Sequence, residues 1–538
     1  MLTRTVVFAA LAGIFLPVSL TNAQAVDWRI VAAPDGRVLL AGLPDNTHRN
    51  LSEYRLGDAG AGQLGFLVRL TQSGLNGNWA SRQGILTRYA QFGVTGPQGP
   101  GRTGGEAHHV FTDATGEIDT AADGQRIFLA RAGDAAIPDT LTFGLWRWDT
   151  VKNTEIVRTK TDSTLGPGLG AGWTYTDASN FVHTRGLPGG GALIHGNARH
   201  ATAGSTALVT RHVPGQGNVP CVRSDSTDAL GPNLGTNDKF MSHWAPWDLT
   251  VTASGRVYGI FDITGARSGI WEICHGAPRA IAMENEVGTR GPSVGLADAY
   301  FSGLFRPYPA TPGTFTFFAI YRIPGVVEGR YGLFRHDGAI NRPIVGQGLT
   351  DTFGPHWEGS TWRSFQTTSL STAGRYAAFG GSVLTTSNTE VQGVWRVGDG
   401  MAPEPVALIG QSGALAPEPG RTWRSFGANA VLANGDVILE ARTDPGNVPA
   451  IWLLEHGRAP RRILEQGQSV PVPTTAGVVS ATVNSFDLPD EGADFSRGFD
   501  GWIGADGHMI IKANISTFGD VVLSSRPSDK LFADGFQP

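Results

Sequence analysis

Four carboxylates recur in the turns that join successive apolar runs of the chain. They are Asp162 in Thr161-Asp162-Ser163-Thr164-Leu165-Gly166-Pro167, Asp228 in Thr227-Asp228-Ala229-Leu230-Gly231-Pro232, Asp351 in Thr350-Asp351-Thr352-Phe353-Gly354-Pro355, and Glu286 shortly before Gly291-Pro292. Gathered at one end of a closed structure, such oxygens suit a hard cation, Ca2+ above all, or the hydroxyls of a sugar. The competing reading is local: a turn Asp bonds nearby backbone N–H groups and caps its own loop. Recurrence favours the local reading, because every unit needs a turn and a catalytic group is needed once. Nothing in the pattern requires a cofactor.

Other residue types that do chemistry are scattered. The 13 His include Glu106-Ala107-His108-His109 and the pair His195 and His200, and neither group has zinc-site spacing. There is no His-Glu-x-x-His, no Gly-x-Ser-x-Gly elbow, no P-loop and no dinucleotide fingerprint. Paired carboxylates for glycoside hydrolysis meet only in space, so a carbohydrate-active hydrolase or lyase stays open beside a binding role. Gly359-Ser360-Thr361-Trp362 and Gly420-Arg421-Thr422-Trp423 resemble the end of an Asp-box turn, but Trp357 and Glu418 stand where its Asp belongs. The two cysteines, Cys221 and Cys274, fall on strands of adjacent units, and spacing leaves open a disulfide or two buried thiols.

The elements that would position these residues form a repeat. A turn glycine precedes an apolar run at Gly62, Gly124, Gly190, Gly255, Gly313, Gly374, Gly435 and Gly507. A second run follows at Gly84-Ile85-Leu86, Gly144-Leu145-Trp146, Ala207-Leu208-Val209, Gly269-Ile270-Trp271, Gly332-Leu333-Phe334, Gly393-Val394-Trp395 and Ala450-Ile451-Trp452. Gly-Pro separates units at Gly96-Pro97, Gly166-Pro167, Gly231-Pro232, Gly291-Pro292 and Gly354-Pro355, with Ala416-Pro417 in the next place. All three landmarks share a period of about 60 residues. Each unit holds about four short runs rich in Val, Ile, Phe, Trp and Tyr, bounded by Gly, Pro, Asn and Asp, which is strand and turn chemistry. The fold class is all-β: a β-propeller of about eight four-stranded units, with seven blades or an open stack of the same units as alternatives. The recurring aromatic would pack between neighbouring blades, worth roughly 1.5–3 kcal/mol of burial each.

The ends suggest closure. Trp28 to Val31 and Val38 to Gly42 resemble the second half of a unit, and Asp506-Gly507 with Met509 to Ile511 the first half, with Val521 to Leu523 competing for one strand position. The irregular stretch from Pro471 to Asp500 reads as a surface insertion. Residues 1–25 read as a signal peptide, with Arg4, an apolar core from Val6 to Leu16, and Ala23-Gln24-Ala25 before the cut. The repeat domain covers 26–524, and 525–538 reads as a tail. No later run approaches the ~20 apolar residues of a membrane span. Gly makes up 74 of 538 residues, and the net charge is −5 without a basic run, which argues against a nucleic-acid partner.

The Gly-led runs such as Gly374-Arg375-Tyr376-Ala377-Ala378-Phe379, the following Gly-Val-Trp, and linkers such as Leu408-Ile409-Gly410-Gln411 resemble exported bacterial repeat proteins with an Asn-x-x-Gly-x-x-Ala-Phe signature and a varied choice of C-terminal anchor. The Asn position is held here by Leu432 and Ser371. Leu531-Phe532-Ala533-Asp534-Gly535-Phe536-Gln537 resembles the IFxDGFE-like ending of exported Gram-negative proteins. The resemblance implies export to the periplasm, cell surface or medium. The reading that results is a binding or structural surface protein, with a polysaccharide or protein as partner.

Overall fold

The computed structural model describes residues 28–33, 35, 38, 49–54, 63–70, 77–82, 85–120, 125–176, 181, 184–235, 237–241, 249–310, 313–349, 351–487 and 509–525. The expected signal peptide lies outside the described residues. So does the expected tail, except Ser525, which ends a strand.

The described residues form eight antiparallel sheets in chain order. Sheet 1 spans residues 49–91, sheet 2 110–158, sheet 3 174–223, sheet 4 249–283, sheet 5 300–346, sheet 6 361–408, sheet 7 422–465 and sheet 8 469–525. Sheet 7 shows the plan: Thr422–Val431, Val437–Asp444, Val448–Leu454 and Arg461–Glu465 lie side by side in sequence order. Gly435 takes φ 89° in its first turn, a conformation that side chains with a Cβ resist. Among the described residues the helical pieces are short 3-10 turns, and no helix is long and apolar enough to cross a membrane.

A β-bulge fixes the register of the repeat. It falls between the third and fourth strands at Asn78/Trp79, Leu145/Trp146, Val209/Thr210, Ile270/Trp271, Leu333/Phe334, Val394/Trp395 and Ile451/Trp452. The aromatic after the bulge meets an aromatic edge-on, on the first strand in Phe111–Trp146, Phe301–Phe334, Trp362–Trp395 and Trp423–Trp452 and on a single bridge ahead of it in Phe240–Trp271, with ring centroids 4.9–5.1 Å apart. This is a favoured aromatic geometry, and it explains why the repeat spends a Trp or Phe there. The bulge also corrects the glycine-based alignment, because Thr210 and not Val209 takes the aromatic's place in sheet 3.

Contacts follow chain order from sheet to sheet. They also return to the start: Trp79 of sheet 1 shares a buried cluster with Ile438 and Leu453 of sheet 7 and Val472, Ile511 and Leu523 of sheet 8. The arrangement is propeller-like. Arg29–Ala32 pairs antiparallel with Gly519–Ser525, so the two ends of the chain share sheet 8. The sharing differs from the sequence reading. Gly519–Ser525 takes the third-strand place, Arg29–Ala32 the outer edge, and Val38 makes one isolated bridge to Thr474. Residues 471–487, expected in an insertion, instead belong largely to paired strands, Ser469–Thr474 and Gly477–Asp487. Alternating Val470 and Val472 face the core there, and Pro471 and Pro473 had masked that alternation.

Between sheets, one asparagine joint recurs at the start of the outer strand. Asn153 Nδ2 donates to the carbonyls of Tyr89 and Gly99, Asn218 to Ile156 and Gly166, and Asn341 to Ile281 and Gly291, each reaching the preceding sheet and the linker that leaves it. Cys221 and Cys274 form a disulfide that ties sheet 3 to sheet 4.

Candidate functional site

The inter-sheet linkers share a turn closed by an i→i+3 backbone bond. Its last residue is Gly99, Gly166, Gly231, Gly291 or Ala416. The first of these corrects the sequence landmark: the linker holds two Gly-Pro pairs, and Gly99-Pro100, not Gly96-Pro97, is the buried one. Pro100 accepts the Trp146 indole N–H as Pro232 accepts that of Trp271.

The expected carboxylates are dispersed over their own linkers, and each described side chain is already engaged. Asp162 Oδ2 accepts from the Gly172 N–H of the same linker at 2.8 Å. Asp228 accepts from Ser226 Oγ at 2.6 Å and from the Leu230 N–H at 2.9 Å, and pairs with Arg223 at 3.1 Å. The Ser226 bond, with the Leu230 N–H and Arg223 against the cost of burial, holds its carboxyl below the ordinary range. Glu286 pairs with Arg290 at 2.8 Å and with Arg267 at 3.7 Å. Nor do the residues share a turn position: Asp228 opens its turn, Asp162 precedes its turn by one residue and Glu286 by two. Asp351 opens a 3-10 turn, Asp351–Phe353, and its side chain lies outside the described set. Among the described residues no group of three or more His, Cys, Asp and Glu is placed to hold a metal ion.

The corrected alignment exposes a different site. Two residues after each buried Gly-Pro, the linkers place Leu169, Leu234, Val294 and Trp357, all packed on apolar clusters. In the first linker this position is Arg102, whose side chain is 2% exposed. A charge there is costly unless it is paired and fully hydrogen-bonded, and Arg102 is. Its Nε and Nη2 form a fork on Glu155 at 3.0 and 2.8 Å. Nη2 also donates to Thr142 Oγ1, and Nη1 to His109 Nδ1 at 2.9 Å. Arg158 makes a second fork on Glu155 at 3.0 and 2.6 Å, so each Glu155 oxygen takes two donors. Arg158 also reaches Glu106, at 3.0 and 2.9 Å. Glu106 rides on the 3-10 turn Gly104–Glu106.

This lattice forms the wall of an open pocket of about 450 Å3, with Thr95, Thr103, Thr154 and Lys152 among its other residues. That volume falls within the roughly 300–1,000 Å3 of small-molecule sites. Burial, aided by the Arg102 charge, pushes His109 below its ordinary range, so the ring is neutral at pH 7. Because Nδ1 accepts from Arg102, the proton of that neutral ring sits on Nε2. Burial alone would raise the Glu106 carboxyl, but the bond and charge of Arg158, with Arg102 behind, hold it below the usual range. Sequence inspection noted Glu106, His108 and His109 but passed over Arg102. Its signal was Gly-Pro-Gly-Arg set against Gly-Pro-Gly-Leu and Gly-Pro-Asn-Leu, hidden by choosing the wrong Gly-Pro.

Comparison with known proteins gives a family without an assigned role. The model of a family of unknown function (DUF7453) matches residues 235–488, from the third linker into sheet 8, and the pocket lies outside that stretch. No curated protein matches the chain. Among solved structures, the β-propeller domain of the Trilobed protease from Pyrococcus furiosus is 7% identical, with 77% of this chain and 95% of that one covered and a TM-score of 0.34. An oligogalacturonate lyase in complex with manganese is 10% identical, covering 78% and 98% at a TM-score of 0.32. The Aleuria aurantia lectin is 12% identical, covering 67% and 95% at 0.21. Likeness this distant says nothing of activity.

Proposed function

We propose that the chain is an exported eight-bladed β-propeller that works as a binding scaffold at the cell surface or outside the cell, and that the first linker carries its ligand site. The observation that carries this reading is Arg102, a buried guanidinium where four sister linkers pack Leu, Leu, Val and Trp against apolar clusters. An apolar residue would hold the linker at lower cost, and departures from a repeat's own rule concentrate where function is served. The Cys221–Cys274 disulfide supports export, since disulfides persist in oxidising compartments. The resemblance to exported repeat proteins points the same way. The ligand class is carbohydrate, with protein as the other candidate, and a Ca2+ requirement is part of the test.

The test uses chain 26–538 on a panel of polysaccharides, with and without Ca2+, scoring retention and new reducing ends together. Retention without release, lost in Arg102→Leu, is the expected result. Release with turnover would replace the scaffold by a hydrolase or lyase. Retention unchanged in Arg102→Leu would move the site elsewhere on the ring, and calcium dependence would move it to the linker carboxylates.

A further inference from the structure

The two carboxylates bound to Arg158 differ in how firmly they are held. Glu155 is 6% exposed, carries two guanidinium forks and cannot leave without stranding Arg102. Glu106 is 42% exposed and makes an accessible, salt-screened pair with Arg158. Its turn stands clear of the walls: nothing lies within 4 Å of where a Cβ would sit at Gly104 or Gly105. Glu106 is therefore the exchangeable anion of the lattice, lying on the Arg158 guanidinium in the pocket wall.

What would replace it is set by the rest of the wall. Lys152 is exposed and makes no ion pair among the described residues. Arg102, Arg158 and Lys152 stand against Glu106 and Glu155, so the pocket has room for one more negative charge. The remaining polar groups suit hydroxyls. They include Thr95, Thr103 and Thr154, and Nε2–H of His109, a residue 7% exposed whose Nδ1 is already taken. Resting on the reading of this pocket as the ligand site, the geometry points to a sugar acid as ligand. Its carboxylate takes the place of Glu106 on Arg158 and its hydroxyls meet His109 and the threonines. Glu106 is then a built-in competitor that the ligand must displace.

The test is equilibrium binding of D-glucuronate to chain 26–538 at low salt, by calorimetry, with D-glucose and N-acetyl-L-glutamate as controls. Glucuronate is expected to bind and both controls to bind less. Glu106→Gln is expected to tighten glucuronate about two- to fivefold, the size of one exposed ion pair, and Lys152→Ala to weaken it by a similar factor. Unchanged or weaker binding in Glu106→Gln overturns the displacement. Glucose equal to glucuronate overturns the carboxylate, and N-acetyl-L-glutamate equal to glucuronate overturns the sugar. If polysaccharide retention depends on Arg102 while neither wild type nor Glu106→Gln binds glucuronate, this inference fails and the scaffold reading stands. If retention is absent as well, both fail.

Discussion

The joint between sheets 2 and 3 and the joint between sheets 3 and 4 solve one problem by different chemistry. Asn218 opens the outer strand of sheet 3 and donates to the carbonyl of Ile156 on the outer strand of sheet 2. The bulged register makes Cys221 the counterpart of Ile156 one sheet later, since Val157 and Val222 face Leu145 and Val209 just before each bulge. Where the next Asn should stand, sheet 4 has Pro278, one residue before Arg279. A proline has no side chain to donate. Cys274, just past the third strand, reaches Cys221 instead. The pattern returns at Asn341, which bonds Ile281 of sheet 4. Repeat architecture therefore tolerates exchange of a hydrogen-bonded clamp for a covalent one, provided the link spans the same two strands.

Breaking the covalent joint should have the largest effect. Cys221→Ser with Cys274→Ser opens a loop of sequence separation 53, worth roughly 4 kcal/mol in the chain-entropy description. Urea unfolding of oxidised and reduced wild type against the double variant checks this. A loss below ~1 kcal/mol would mean that the apolar packing of Leu234 and its neighbours carries the joint alone.

Next comes the polar joint of the first linker. Glu155→Ala leaves Arg102 buried without its carboxylate and should cost about 3 kcal/mol, the low end for a broken buried pair because the pocket admits water. Asp228→Ala removes a partner of Arg223, an arginine at the same outer-strand position as Arg158, and should cost under ~1 kcal/mol because that pair is exposed. The two arginines diverge because Arg158 has Glu155 three residues before it and Arg223 has Pro220. Equal losses in the two variants would contradict the contrast between the buried pair of the first linker and the exposed pair of the third. The pair Arg102→Leu with Glu155→Gln should restore stability to within ~1 kcal/mol of wild type while abolishing retention of ligand, which separates the lattice's structural cost from its use.

Asn218→Ala removes two donors to linker and strand carbonyls and an acceptor for His212, and should cost about 2 kcal/mol. These asparagines were not legible in the sequence. They lie at strand starts where Asn also serves as a turn residue, and only the fold shows their amides crossing to the previous sheet. What was legible was periodic: the aromatic of the third strand, the turn glycines, the four-strand unit and the shared sheet at the ends. Arg102 lay between these levels. Its meaning depends on knowing which of two adjacent Gly-Pro pairs is the turn, and a hydrogen bond from Trp146 decides that, not composition.

The smallest effect separates the asparagine joints from one another by pH. Asn218 and Asn341 accept from His212 and His336 through Nδ1, whereas the register partner of Asn153 is Trp148. Burial pushes both histidines below their ordinary range, outweighing the Asn bonds that favour the charged form. Arg147 adds to the lowering at His212 and Arg279 at His336, where Asp337 and Glu272 oppose it. A base with a lowered folded-state pKa takes up protons first in the unfolded chain. Stability is therefore complete above the unfolded value near ~6.5 and falls as pH drops from there toward the folded value. The depressed carboxyls Glu106, Asp228 and Asp337 stabilise the fold throughout this range and lose that contribution only at lower pH, below ordinary carboxylate values. The urea midpoint should be lower at pH 5.0 than at pH 7.5. His212→Phe should reduce the difference in part, the remainder resting on His336 and His109. An undiminished difference in that variant would assign the acid sensitivity to His336 and to His109, which is buried against Arg102.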